Sequence, residues 1–216
     1  LVARNAERYY RTMVRGGPYS CNVRDTHMTD TLDRLMEFHG PDAKAIVWEH
    51  NTHIGDARAT DMARDGMVNV GQLVRERHAG EGVVLVGFGS YQGSVIAADA
   101  WGAPMERKPV PEALQDSYED LMHRAGDASG IRNQLLLLPD EGAGPDEAAL
   151  WSASRGHRAI GVDYKPAFER HGNYVPTVLP RRYDAFMFVD QTTALHPLHL
   201  EPRVDDEIPE TYPSGV

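Results

Sequence analysis

Cysteine is nearly missing from this chain: Cys21 stands alone among 216 residues, so no internal disulfide can form and a disulfide-stapled secreted scaffold is excluded. A reducing, cytoplasmic setting is the expectation. Long apolar runs are also lacking, since none approaches the roughly eighteen residues needed to span a bilayer, and the start has no charged-then-apolar leader. Positive charge is in the minority, with 22 Lys plus Arg against 32 Asp plus Glu and a formal net charge of −10. That balance repels phosphate backbones and anionic lipid, so neither nucleic acid nor membrane is expected as a partner. No fixed-period repeat is present. The chain opens on Leu1 inside a helical pattern, from which we expect polypeptide to precede it.

What is present suits one domain with a sizeable core: 216 residues, of which 41% are hydrophobic. Apolar residues at three- and four-residue spacing predict a helix up to about Val14, stopped by Gly16, Gly17 and Pro18. A second helix is predicted from about Val23 to Phe38, closed by Gly40 and Pro41. The run Ala45 to Trp48 is too short for a helix and reads as a buried parallel strand. Helical spacing returns in MVNVGQLVRERHAG. Two β-branched runs follow, Val83 to Val86 and Ser94 to Ala97, and the glycines between them predict a turn joining an antiparallel pair. EALQDSYEDLMHRAG reads as a helix, NQLLLLP as a buried strand, GPDEAALW as a short helix, and RAIGVDY and YDAFMFVDQT as strands before a proline-punctuated irregular tail. Strands alternating with helices predict a single α/β domain, mostly parallel and flanked by helices.

The segment WEHNTHIGDAR carries the strongest local chemistry, because it sets Glu49, His50, Asn51 and His53 just past the predicted strand. Carboxyl ends of strands in open α/β sheets face the ligand crevice. Histidine there can serve as acid, base, oxyanion donor or metal ligand; capping of backbone by His50 is the structural alternative. The His-x-x-His spacing of three differs from the helical pair four apart that zinc proteases use, so neither a metal nor any other cofactor is expected. Arg24 offers a permanent, planar cation for a carboxylate, phosphate or developing oxyanion, with an ion pair to Asp25 or Asp30 as its alternative. His27 reads as a helix-surface position that could face the cleft, Cys21 as a small buried hydrophobe, and His196 and His199 as structural or rim residues. The glycines of GFGSYQG offer no helix N-terminus to a pyrophosphate, and Ser90 and Ser94 lie outside any Gly-x-Ser-x-Gly elbow.

Four blocks in register, NVRDTHMTDTL, AIVWEHNTHIGDAR, NVGQLVRERHAGEGVVLVGFGSYQGSV and YDAFMFVDQTTALHPL, resemble consecutive blocks of the erythromycin esterase family. The resemblance implies an α/β core with a deep cleft, of which this chain would be the carboxy-terminal half, and cleavage of an ester or lactone by activated water. His50 and His53 match the paired cleft histidines, and Arg24 with Asp25 matches the family's Arg-Asp block. Together His50, His53 and Arg24 are the expected catalytic set. Asp25, Asn51, Ser90, Tyr91 and Gln92 are the expected substrate-binding residues. No role transfers to Glu49, where many relatives carry another residue. The family's water-activating histidine lies in a Gly-Glu-x-x-His segment that nothing here matches, which implies that the base comes from polypeptide outside this chain. A small-molecule substrate is the expected partner, with a second copy or the amino-terminal half completing the fold. Two other readings stay open: a non-catalytic, small-anion-binding part of a fusion with a phosphoribosyltransferase-like domain, and a metal-dependent hydrolase using His50 and His53.

Overall fold

The computed structural model describes residues 6–8, 10, 12, 18–139 and 151–196. They group into two compact units, a division that the composition does not announce. Unit one comprises Leu1–Phe88, Leu135–Arg155 and Val175–Met187; unit two comprises Gly89–Gln134, Gly156–Tyr174 and Phe188–Val216.

In unit one, helix α1 runs from Pro18 to His39. Pro18 therefore opens a helix instead of stopping one, as suits a residue with no amide proton at a position whose amide has no intrahelical acceptor. Gly40, at a φ of 93°, closes the helix through its amide to the Met36 carbonyl at 3.0 Å. The run Ala45 to Trp48 is no strand: it has no regular secondary structure and is exposed, with Ile46 at 95% and Trp48 at 82%. Its β-branched composition suits a strand, but a strand also needs a neighbour to bond with, and none of the described residues supplies one. Short helix α2 (Asn51–Ile54), two 3₁₀ turns and α3 (Val70–Arg77) follow.

Strand β1 is continuous from Val86 to Ala97, so the expected turn at Gly87 to Gly93 does not form. Those glycines serve close approach instead. A Cβ at Gly87 would meet the Tyr183 ring at 2.7 Å, and one at Gly93, whose φ is 141°, would collide with the Thr192 carbonyl. The antiparallel partner of β1 is β2 (Glu106–Val110), in register from Gly93 opposite Val110 to Ala97 opposite Glu106. Helix α4 (Tyr118–Ser129) begins at the Ser117 cap and ends at Gly130. Further on come β3 (Gln134–Leu137), β4 (Arg155–Arg158), α5 (Glu169–Gly172), β5 (Tyr174–Thr177), α6 (Leu179–Arg182) and β6 (Ala185–Thr192).

The four-stranded sheet has the order β2-β1-β6-β3, and β4 pairs with β5 in a second sheet. Leu85 meets Asp184, and Gly93 meets Thr192, so β1 and β6 advance in the same direction. Leu138 meets Asp184 while Asn133 meets Asp190, so β3 runs against β6. The sheet is therefore mixed and mostly antiparallel, which corrects the parallel expectation. The helix-strand alternation was read as a run of parallel crossovers, yet β1 and β2 are joined by a short connection that only an antiparallel pair allows. As a sheet edge, β3 leaves Leu135 and Leu137 exposed, although the four leucines at 135–138 read as a buried run. The strand expected across RAIGVDY lies earlier, at Arg155–Arg158, because Val162 and Tyr164 instead bracket an isolated bridge between Asp163 and Ala98. Of the helix expected in GPDEAALW only Trp151 is described, and it is helical; the tail from Pro197, with His199, lies outside the described residues.

The core of unit one includes Leu85, Leu179, Tyr183 and Phe186, and that of unit two centres on Ala97, Val110 and Tyr164.

Candidate active site

The chemistry of unit one converges where α1 meets the loop around α2. Asp25 is buried on α1 while its neighbour Arg24 reaches outward. From the last turn of α2, His53 donates Nδ1–H to both Asp25 oxygens, at 2.9 and 3.1 Å. Its Nε2 lies 3.0 Å from Arg24 Nη2. A guanidinium can only donate, so Nε2 must accept and the proton must sit on Nδ1. Asp25 thus orients an imidazole that in turn holds a guanidinium. The side chain of His53 stays 23% exposed against 4% for Asp25, so a ligand can reach the ring and its arginine.

A hub that the sequence reading passed over fixes this loop. Asn69, fully buried at the cap of α3, donates Nδ2–H to the carbonyls of Thr52 (2.8 Å) and Gly55, which flank His53. Its Oδ1 accepts from the amides of Ala57 (3.3 Å) and Gln72 (3.0 Å). A Cβ at Gly71 would overlap the Ile54 carbonyl, so only glycine lets α3 approach the loop this closely. Arg182, also buried, adds a bond from Nη2 to the Asn51 carbonyl at 3.2 Å. An asparagine immediately before a helical pattern was the available signal for the cap; its reach back to the histidine loop was not legible.

Other expected site residues take different places. His50 is exposed and caps α2, its Nδ1 lying 2.9 Å from the Thr52 hydroxyl and 3.3 Å from the Thr52 amide, while Arg24 meets His53. Asn51 spends its amide on the Phe88 backbone, donating to the carbonyl at 2.6 Å and accepting from the amide at 3.1 Å. Ser90, Tyr91 and Gln92 belong to unit two. There the carbonyls of Ser90 and Tyr91 accept from Arg158, the Tyr91 ring stacks on His123 at 3.6 Å, and the Gln92 carbonyl accepts from the Thr192 hydroxyl. Cys21 is exposed on α1, not buried.

Glu49, to which the sequence assigned nothing, lines an open groove between α1 and the 42–49 segment, together with His27, Met28 and Thr31. Its Oε2 is shielded from solvent and accepts no hydrogen bond among the described residues. Burial pushes the Glu49 carboxyl above the ordinary range; His53 and Arg24 offset part of the rise and Asp25 adds to it. Among the described residues, no three His, Cys, Asp or Glu side chains are arranged to hold a metal ion, and no helix is long and apolar enough to cross a membrane.

This arrangement can be set beside known proteins. The family model for erythromycin esterase matches residues 1–192. The chain belongs to the erythromycin esterase family. Its fold is similar to that of a succinoglycan biosynthesis protein, at 21% identity and a TM-score of 0.64 over 86% of this chain and 42% of that one. A Bacillus cereus protein matches at 17% identity and a TM-score of 0.61, over 86% and 43%. A histidine-to-asparagine mutant of the erythromycin esterase EreC, in its open conformation, matches at 21% identity and a TM-score of 0.55, over 85% and 41%. The chain therefore spans about four-tenths of the length of these solved relatives.

Proposed function

We propose that this esterase-family chain supplies the cation-bearing wall of a hydrolytic site that cleaves an ester or lactone with water. Arg24, held by His53 and through it by Asp25, stabilises the oxyanion that forms as water adds to the acyl carbon. A fixed guanidinium aimed at developing charge lowers that barrier more than one that must first be ordered. The single observation that carries this reading is the unbroken relay Asp25, His53, Arg24, closed by bonds of 2.9 and 3.0 Å.

The reading is tested by screening simple esters and lactones with the purified protein and its variants. His53→Ala is expected to lower turnover by at least about a hundredfold, equivalent to about 2.7 kcal/mol at roughly 1.4 per decade, with the melting temperature almost unchanged. Arg24→Lys is expected to impair turnover as well, since an ammonium lacks the planar fork with which one guanidinium donates both to the imidazole nitrogen and to an oxyanion. Equal turnover by the lysine variant would remove Arg24 from this role. The exposure of Arg24 supports a second reading, a small-anion site without turnover; binding of a carboxylate or phosphate that depends on Arg24, in a protein that cleaves no ester in the screen, would favour it.

A further inference from the structure

The run Ala45 to Trp48 in unit one has a composition at odds with its surroundings. It is apolar at every position, as strands buried on both faces are. Nevertheless Ile46, Val47 and Trp48 are exposed, Trp48 despite a Phe88 ring whose centroid lies 5.5 Å away, and no strand among the described residues pairs with the run. Across the groove Leu35 of α1 is exposed as well. Contiguous apolar surface of this kind marks an interaction site. A second, independent sign follows at the next residue: Glu49 Oε2 is shielded from solvent and accepts no hydrogen bond among the described residues, although buried acceptors are rarely left so. One further neighbour accounts for both, by covering the apolar side chains and donating to the carboxylate.

We propose that Ala45 to Glu49 is a docking strand, which pairs with a strand from the part of the family fold that this chain does not span. The length of the solved relatives selects that occupant. The match covers 86% of this chain but only 42% of the succinoglycan biosynthesis protein, and 85% against 41% for the EreC esterase, so more than half of each relative lies outside it. A second copy fits less well, because a net charge of −10 repels its like. Strand addition uses the chemistry at hand: main-chain amides and carbonyls of 45–48 supply affinity, and side chains alternating between two faces supply register. Ile46 and Trp48 take one face, Ala45 and Val47 the other. The cap of α2 at His50 follows directly, so seating this strand anchors the start of the loop that carries His53. Docking of this kind is independent of whether the assembled protein cleaves an ester.

The test compares this chain with the native product of its gene by amide hydrogen exchange and thermal melting. In the chain alone the 45–48 amides are expected to exchange as fast as those of an unstructured peptide, and in the native product at least about a hundredfold more slowly. Ile46→Asp is expected to shift the melting temperature of the chain by less than about one degree, since that side chain already meets water, and to lower that of the native product by several degrees. Glu49→Leu is expected to lower the melting temperature of the native product by a smaller amount and to leave that of the chain unchanged or raised. Equal exchange at 45–48 in the two proteins, or equal shifts by Ile46→Asp, overturns the proposal. Three other results overturn it too: protection of these amides in the chain alone, which assigns the cover to this chain itself; protection that rises with concentration as a dimer forms in sedimentation, which assigns it to a second copy; and a native product no longer than this chain that purifies without a partner polypeptide.

Discussion

Of the carboxylate–histidine pairs in the two units, Asp25–His53 in unit one and Glu119–His157 in unit two share a chemistry and differ in access. In unit one, Asp25 and His53 meet at 2.9 Å with the imidazole partly exposed and its far nitrogen turned to an arginine. In unit two, Glu119 and His157 meet at 2.6 Å with both side chains at 0% exposure. Burial alone would raise the Glu119 carboxyl, yet His157 and the amides of Glu119 and Arg158 outweigh it and hold it below the usual range. Nearby, Arg158 is buried against Glu169 at 2.7 Å, Tyr164 also bonds Glu169, and burial followed by that bond drives the Tyr164 hydroxyl far up. The unit-two pair is an internal brace; the unit-one pair can meet a ligand. Access, and not the pairing itself, separates a site from a support.

The largest effect should come from breaking the buried pair. Glu119→Ala strands His157 in a dry interior and is expected to remove about 3–5 kcal/mol of stability, as for other half-deleted buried ion pairs, measured as a shift in the denaturant midpoint. Asp25→Ala should shift that midpoint by much less, because His53 can turn to water; equal shifts would erase the distinction between brace and site. Next in size, Asn69→Ala removes four bonds around the His53 loop and is expected to cost about 2–3 kcal/mol, with turnover falling further than the stability loss explains. A stability loss without any change in turnover would show that the hub supports the fold alone.

The smallest effects lie at a partly exposed pair in unit one and a more buried one in unit two, and they have opposite signs. In unit one, His78 is held above its ordinary value chiefly by its bond to Asp33, with Glu81 assisting. A raised histidine contributes stability that is complete below its unfolded pKa, about 6.5, and is lost as pH rises through the folded value. In unit two, burial would raise Asp190, but His123 and Arg132 hold it below its ordinary value. Its contribution is complete above the unfolded pKa, about 3.9, and is lost as pH falls through the folded value. His78→Gln should therefore flatten the alkaline decline by a few tenths of a kcal/mol, and Asp190→Asn the acidic one; thermal melts across pH would read both slopes.

Helices such as 70–77 and 118–129 were legible because their apolar residues recur at helical spacing within one short window. The meeting of Arg24, Asp25 and His53 was legible through family blocks, whereas spacing alone made a structural ion pair the commoner expectation for Arg24. Strand pairing was not legible. Ala45 to Trp48 has strand composition but no strand partner among the described residues, and nothing local distinguishes a glycine that turns the chain from one that lets Tyr183 or Thr192 lie against it. Glu49 was invisible for a different reason: whether a carboxylate oxygen finds a donor depends on three-dimensional neighbours, not on its place in WEHN.

The single oxygen of Asn69 accepts from two amides on different elements, Ala57 in the first 3₁₀ turn and Gln72 in α3. In the language of hydrogen exchange, these amides share one latch, so an opening that frees either should expose both at a common rate. The segment carrying His53 would then breathe with α3 as a single cooperative element, and not as an independently fluctuating loop.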